Sequence, residues 1–279
     1  MITSRKHPLL QQARALASRG ERRRLGLAVA EGLRLVESAV EAGVAITACL
    51  HTPQFAAAGP RGAALLKKLE ASSGRMLEVQ DAAFRSASAV EEPQGIMVIF
   101  EPAAVSLDRL DLSPPRPRTS RRSPPLVVVL DHVQDPGNVG AVIRTADAAG
   151  AAAVLLTPGC ADPMNAKALR ASMGSAFHLP VLDGLEVDAI ATFLHRQRIP
   201  LFATGLEPDA KSCFDADLSG AVAVAFGNEG AGLSPGLMRA NLAATLRIPI
   251  LGGAESLNIA ASAAVILFEV LRQSGTALR

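Results

Sequence analysis

Three loops of this chain combine glycine with polar side chains, and each follows an apolar stretch. Residues 131–138 read DHVQDPGN and lead towards Arg144 and Thr145, residues 227–232 read GNEGAG, and residues 252–258 read GGAESLN. Glycine allows a backbone to approach a ligand closely, and Asn, Glu and Ser add hydrogen-bonding groups. Ligands of open parallel α/β sheets bind beyond the carboxyl ends of the strands. The three loops therefore predict one ligand site.

Each loop by itself has a plainer explanation. The GNEGAG stretch could be a tight turn, since its glycines at 227, 230 and 232 fit neither a GxGxxG fingerprint nor a P-loop. Arg144 could lie on the surface of a helix, and Asn258 could cap one. Three such loops at equivalent strand ends favour a shared function over three separate turns.

The elements that would position these loops alternate along the chain. In the second half, apolar strands are predicted at 126–130, 152–156, 200–204, 221–226 and 246–251, with helices at 139–149, 166–176, 187–198 and 256–273. Continuous apolar strands between helices predict a parallel sheet covered on both faces. The first half also alternates, with strands at 25–30, 46–50, 76–79 and 95–100 and helices at 32–42 and 60–73, which predicts a small α/β domain.

Length and charge indicate two domains with basic segments. The 279 residues match a two-domain prior, and the stretch SPPRPRTSRRSPP at 113–125 reads as a linker. The predicted domains are 1–101 and 126–279, joined by a Pro/Arg-rich linker at 102–125. The net charge of +2 conceals +6 in residues 1–24 and +4 in residues 113–125, from Arg116, Arg118, Arg121 and Arg122. Basic segments that look flexible, as these do, are typical of proteins that bind the phosphate backbone of nucleic acids. The plainer alternative is a solvated basic surface that only aids solubility.

Composition excludes several classes of protein. A content of 49% hydrophobic and 19% charged residues argues against a disordered chain, and no apolar run approaches the length of a membrane span. We see no secretory leader and expect a cytoplasmic protein. Cys49, Cys160 and Cys213 are too widely spaced for a disulfide framework or a zinc site, so no metal is expected. No GxSxG or HExxH motif supports a hydrolase.

Together, the motifs resemble those of the SpoU (TrmH-type) RNA ribose 2′-O-methyltransferases. The matching stretches are NVGAVIRTA at 138–146, FGNEGAGL at 226–233, and IPILG at 248–252 followed by ESLNIA at 255–260. Their order and spacing agree over residues 126–274, and LRASMG at 169–174 resembles a further family segment. Residues 29–43 resemble the family's small L30e-like substrate-binding domain. Ile250 and the pair Ile259-Ala260 depart from the usual Met and Val-Ser, which affects packing detail rather than activity.

The resemblance implies a SPOUT fold, in which the C-terminal part of a parallel sheet forms a trefoil knot, and a homodimer. It implies S-adenosylmethionine as the methyl donor. The implied cofactor-binding residues are Thr204, Gly205, Gly227, Asn228, Gly232, Ile248 and Leu257. The implied catalytic residues are Asn138, Arg144, Glu229, Ser256 and Asn258. Because arginine stays protonated in proteins, we expect Arg144 to bind the target phosphate or to polarise the 2′-oxygen rather than to act as a base.

The expected activity is methyl transfer to a ribose 2′-hydroxyl of ribosomal RNA. Transfer RNA as substrate, methylation of a ribosomal drug site, and a non-catalytic RNA-binding module are the alternatives. A dehydrogenase is disfavoured, because DHVQDPGN stands where a dinucleotide-binding GxGxxG would follow the first strand. The chain contains nine Phe but no Trp or Tyr, which favours recognition of RNA through phosphates and shape over an aromatic stacking platform.

Overall fold

A computed structural model describes residues 1–71, 74–112, 124–207 and 209–275 of the chain. The strands are β1 (Ala28–Glu31), β2 (Ala45–His51), β3 (Arg75–Glu78), β4 (Ile96–Glu101), β5 (Leu126–Leu130), β6 (Ala153–Leu156), β7 (Val181–Asp183), β8 (Leu201–Thr204), β9 (Lys211–Ser212), β10 (Val222–Phe226) and β11 (Leu242–Arg247). The α-helices are α1 (Pro8–Ala15), α2 (Arg19–Leu25), α3 (Leu33–Glu41), α4 (Pro53–Ala57), α5 (Pro60–Ala71), α6 (Asp81–Arg85), α7 (Pro136–Ala148), α8 (Ala166–Ser172), α9 (Ser175–His178), α10 (Val187–Arg196), α11 (Pro235–Met238) and α12 (Ile259–Gln273).

The chain forms two compact units. The first comprises Met1–Ala104 together with Met164–Phe177, and the second comprises Val105–Pro163 together with His178–Arg279. Residues 113–123 of the predicted linker, with Arg116, Arg118, Arg121 and Arg122, lie outside the described residues. No helix within the described ranges is long and apolar enough to cross a bilayer.

The first unit is built on a four-stranded sheet of order β1-β4-β2-β3. Strand β4 pairs antiparallel with both β1 and β2, whereas β2 and β3 run parallel. The core beneath α1 contains Leu10, Leu16, Phe84 and Met97, all buried. The basic segment 1–24, which looks flexible in sequence, is ordered here, because α1 and most of α2 lie within it and α1 contributes Leu10 to the core.

The second unit is built on a seven-stranded parallel sheet of order β7-β6-β5-β10-β8-β11-β9. All five residues of β5 and of β10 are buried, as expected for central strands covered on both faces. The predicted α/β fold with a parallel sheet is thus confirmed. In such a sheet the loops that leave the carboxyl ends meet at one edge, and here those after β5, β8, β10 and β11 come from neighbouring strands.

Two element predictions for the second half of the sequence are wrong. The strand predicted at 246–251 runs over Leu242–Arg247 instead, because Pro249 has no N–H to donate to a ladder and Ile248 to Leu251 belong to the following loop. The helix predicted at 166–176 is broken into α8 and α9. Met173 and Gly174 both take positive φ at the break, which ends a right-handed helix.

Candidate active site

The carboxyl edge of the parallel sheet holds a cavity of about 460 Å³. Its walls come from the loops after β8, β10 and β11 and from the start of α12. All seven sequence-predicted cofactor residues line it, namely Thr204, Gly205, Gly227, Asn228, Gly232, Ile248 and Leu257. Three predicted catalytic residues, Glu229, Ser256 and Asn258, line it as well. A ligand pocket for a drug-sized molecule encloses roughly 300–1,000 Å³, so the cavity is of suitable size.

The loop after β10 is folded tightly on itself. Asn228 and Gly232 exchange two main-chain hydrogen bonds of 2.9 Å, and the Asn228 side-chain oxygen accepts from the N–H groups of Gly230 at 2.9 Å and Ala231 at 3.0 Å. A β-carbon on Gly227 would overlap the Gly232 carbonyl group. Only glycine therefore fits at position 227 while the loop keeps this conformation.

A chain of side-chain amides links three of the site loops. Asn258 donates through Nδ2 to Oδ1 of Asn138 at 3.2 Å, and Asn138 donates through Nδ2 to Oε1 of Glu229. The helix starts fix both asparagines, because the Asp135 carboxylate accepts from the Asn138 N–H at 2.9 Å and Asn258 caps α12 by accepting from the Ala260 N–H at 2.9 Å. Asn258 is thus both a helix cap and a member of the site.

A second network lies behind the site at the end of β5. The Asp131 carboxylate is fully buried and accepts hydrogen bonds from Ser234 N at 2.6 Å, Thr157 Oγ1 at 2.7 Å and His132 Nδ1 at 2.9 Å. Burial raises the pKa of Asp131, but these hydrogen bonds outweigh burial, so the net pKa lies below the ordinary value. Asp131 therefore ties the ends of β5 and β6 to the segment that follows the GNEGAG loop.

Arg144 stands apart from the other predicted catalytic residues. It lies on α7, six residues after Asn138, where its side chain is exposed. It does not line the cavity, and no hydrogen bond or ion pair joins it to another described residue. The structure thus groups Asn138, Glu229, Ser256 and Asn258 and leaves the Arg144 guanidinium free to meet a ligand from solvent.

The sequence analysis missed several residues of the cavity wall, and Glu207 is the most informative. The loop after β8 begins where Gly205 N donates to Leu246 O at 3.0 Å, and it carries Leu206 and Glu207 into the lining. Oε2 of Glu207 is buried and accepts no hydrogen bond from the residues described here. The one available signal was a carboxylate soon after an apolar strand, which is too common to single out.

Asp131 was missed as well, although it follows the strand LVVVL directly and a strand-end carboxylate was visible in DHVQDPGN. Leu246, Ile250 and Ile266 add apolar surface to the cavity. Among the described parts of the chain, no three His, Cys, Asp or Glu side chains are grouped so that they could hold a metal ion. The site is therefore a mixed apolar and amide-lined pocket.

Comparisons with known proteins agree on one group. Residues 125–268 match the model of the SpoU rRNA Methylase family, and residues 7–98 match the MRM3-like substrate binding domain. An uncharacterised tRNA/rRNA methyltransferase of Synechocystis is 31% identical over 99% of this chain and 95% of its own length. A 23S rRNA (uridine(2479)-2′-O)-methyltransferase of Streptomyces viridochromogenes is 30% identical over 98% and 92%.

Solved structures agree with these sequence matches. The crystal structure of an AdoMet-bound rRNA methyltransferase from Sinorhizobium meliloti superposes with a TM-score of 0.80 at 33% identity, covering 97% of each chain. The structural likeness therefore extends over both units of the chain.

Proposed function

Because the chain belongs to the SpoU rRNA methylase family, we propose that it transfers a methyl group from S-adenosylmethionine to a ribose 2′-hydroxyl of ribosomal RNA. The family, the enzyme class and the SPOUT-type fold expected from the sequence are confirmed by these matches. The trefoil knot stays a prediction. The observation that carries the proposal is the single cavity into which the loops after β10 and β11 converge, with the amide chain from Asn258 to Glu229 beside it.

The cavity suits S-adenosylmethionine in size and in chemistry. Ile248, Ile250 and Leu257 supply apolar surface for a purine, and the carboxylates of Glu207 and Glu229 offer acceptors for hydroxyl and ammonium donors. When bound, the cofactor supplies a methyl group on a positively charged sulfur that departs as a neutral thioether. The protein's task is then to hold the ribose oxygen, the methyl carbon and the sulfur in line.

We assign the residue roles from this geometry. Asn138 and Asn258 fix Glu229 and the mouth of the site through their amide chain. Arg144, exposed and without a partner among the described residues, is placed to hold the target phosphate or the 2′-oxygen through its forked donors. Since a guanidinium stays protonated, Arg144 stabilises negative charge that develops on the oxygen, and the hydroxyl proton leaves to solvent water rather than to Arg144. Ser256 contacts the target nucleotide or orders the third loop.

The first unit is proposed to bind RNA. Its match to a substrate binding domain supports this role, but fewer of its N-terminal cations are free than their number suggests. Arg22 donates to the carbonyls of Leu16 and Ala17, and Arg14 donates to Ser86. Arg5 and Lys6 are exposed and are the better candidates for phosphate contacts, which would make the affinity for RNA fall with salt.

A homodimer is proposed from the exposed apolar surface of the second unit. Phe268 on α12 is 46% exposed, and Leu251 and Leu257 in the preceding loop are exposed too. Ala261 and Val265 continue the Phe268 stripe at helical spacing. A second copy of the chain would bury this surface, and a Phe268→Asp variant that remained dimeric in analytical ultracentrifugation would contradict that placement.

Because its substrate is ribosomal RNA, we expect the enzyme to act in the cytoplasm.

The function is tested by mapping 2′-O-methyl groups in ribosomal and transfer RNA from cells with and without the gene. Such nucleotides resist alkaline cleavage, and we expect one ribosomal position to lose its protection in the deletion strain and to regain it with the wild-type gene. Restoration by an Arg144→Ala gene would contradict the role of Arg144. A lost site in transfer RNA would favour the alternative substrate, and an unchanged map with intact S-adenosylmethionine binding would favour a non-catalytic module.

A further inference from the structure

Glu207 presents a charged group whose partner is missing. Its side chain lines the cavity, and Oε2 is buried without a donor among the described residues. The turn around it is satisfied, since the Glu207 main-chain oxygen accepts from Ala210 N at 3.0 Å. Buried polar atoms in folded proteins nearly always have a hydrogen-bond partner, and burying an unpaired carboxylate oxygen costs free energy. The unsatisfied group is therefore the side-chain oxygen of Glu207, and its lack of a donor needs an explanation.

The position of this carboxylate depends on a glycine. A β-carbon on Gly205 would lie within 2.7 Å of the Glu207 Cδ atom, so the carboxylate occupies the space above Gly205 that any other residue would fill. Gly205 has no positive φ, so its backbone conformation does not itself require glycine. The absence of a side chain at 205 thus leaves room for the carboxylate at the cavity wall.

The neighbours of Glu207 indicate which donor it would meet. Gly205 N is bonded to Leu246 O, which places the Glu207 loop beside the apolar wall formed by Leu246, Ile248 and Ile250. The amide chain ending at Glu229 belongs to the loop after β10 instead. An adenosine whose purine packed on the apolar wall would offer the hydroxyls of its attached ribose as donors to Glu207.

We propose that the Glu207 carboxylate accepts hydrogen bonds from the vicinal hydroxyls of the cofactor ribose and so sets the affinity of the site for an adenosine moiety. The inference rests on the proposed function, because it takes S-adenosylmethionine as the ligand. A carboxylate is acceptor-only and can receive both hydroxyls of a diol. Hydrogen bonds to charged groups contribute more than neutral ones, which makes Glu207 a determinant of affinity rather than a bystander.

The test is calorimetric titration of the purified full-length protein with S-adenosylhomocysteine, 5′-methylthioadenosine and 2′-deoxy-5′-methylthioadenosine. We expect Glu207→Gln to weaken the first two ligands equally, by about tenfold to a hundredfold, and the deoxy ligand by clearly less. Asp209→Asn removes the same charge at an exposed position of the same loop and should leave all three affinities unchanged. Far-UV circular dichroism checks that each variant is folded.

A second variant addresses the same contact from the other side. Gly205→Ala should displace the carboxylate and weaken S-adenosylhomocysteine to a similar degree, and the double variant should lose little more than either single change, since both remove one interaction. If the losses of affinity from the two single changes added up fully in the double variant, the two residues would act independently and the proposed contact would be refuted.

Two further outcomes also oppose the proposal. A loss confined to S-adenosylhomocysteine would show that Glu207 meets the ammonium of the amino-acid part, which 5′-methylthioadenosine lacks. Equal affinities in wild type and Glu207→Gln would show no contact at all. A wild-type protein that binds none of these adenosine ligands would instead refute the proposed function, and this inference with it.

Discussion

Replacing Asp131 with Asn tests whether the buried network at the end of β5 stabilises the second unit. Asn keeps the shape of the side chain and can still accept from Thr157 and His132 through its oxygen, but its NH₂ group then faces the Ser234 N–H that now donates at 2.6 Å. One charge-assisted hydrogen bond contributes about 1.5–3 kcal/mol, and a buried donor left unsatisfied costs about 1–3 kcal/mol. We expect the free energy of local unfolding to fall by about 3 kcal/mol.

The assay is native-state hydrogen exchange with peptide-level mass spectrometry at pH 7. A chain with two units does not unfold in one step, and the absence of Trp and Tyr makes intrinsic fluorescence a poor probe. A loss of about 3 kcal/mol corresponds to about a hundredfold faster exchange in peptides that cover β5 and β6. The matched control is Asp135→Asn, since an asparagine caps a helix as well as an aspartate does, and its exchange should stay within about twofold of wild type.

The pH dependence supplies the refutation. The folded pKa of Asp131 is depressed, so its contribution is fully present above the unfolded pKa, which is about 3.9, and is lost as the pH falls through the folded pKa. Measured by hydrogen exchange in the same β5 and β6 peptides, the free-energy difference between wild type and Asp131→Asn should therefore be constant from pH 8 to 5 and shrink below about pH 4. A difference that is already under about 1 kcal/mol at pH 7 would refute the reasoning.

Three further predictions concern the site and the first unit. Arg144→Ala should keep S-adenosylhomocysteine affinity within about twofold and lower kcat by at least about a hundredfold, and turnover near the wild-type level would contradict its role. Gly227→Ala should weaken S-adenosylhomocysteine at least about tenfold in calorimetry, because a β-carbon meets the Gly232 backbone. Gly220→Ala, which meets no atom within 4 Å, is its control, and equal affinities would show that the loop tolerates the methyl group. Leu10→Ala should lower the stability of the first unit by about 3 kcal/mol, since Leu10 is fully buried. Unchanged thermal unfolding would mean that α1 is not part of that core.

The motif loops could be predicted from sequence because a local requirement explains several of their residues. Gly227 must lack a side chain, and Asn258 stands at a helix start, where an asparagine caps the helix. The apolar run at 126–130 reads directly as a central strand, and it is one. These features are local, so a short stretch of sequence contains the whole signal.

The remainder depends on contacts that a local pattern does not contain. The cations of residues 1–24 suggested a solvated arm, but Leu10 and Leu16 reach a core built from distant strands. Glu207 acquires its importance from the apolar wall beside it, and Asp131 from partners in two other loops. The strand of residues 242–247 is half-exposed and weakly apolar. The sequence pattern therefore favours a strand over the more apolar run at 246–251.

The hydrogen bonds that close the site join residues far apart in the chain. Asp131 and Ser234 are separated by 103 positions, and Asn138 and Asn258 by 120. Contacts of such long range form slowly, because a large loop must close before they contribute. Synthesis proceeds from the N-terminus, so a growing chain lacks the cap of α12 and the amide chain until residue 258 has emerged. Cofactor binding thus requires a chain that has been synthesised beyond residue 258, and it can serve as a readout that these distant contacts have formed.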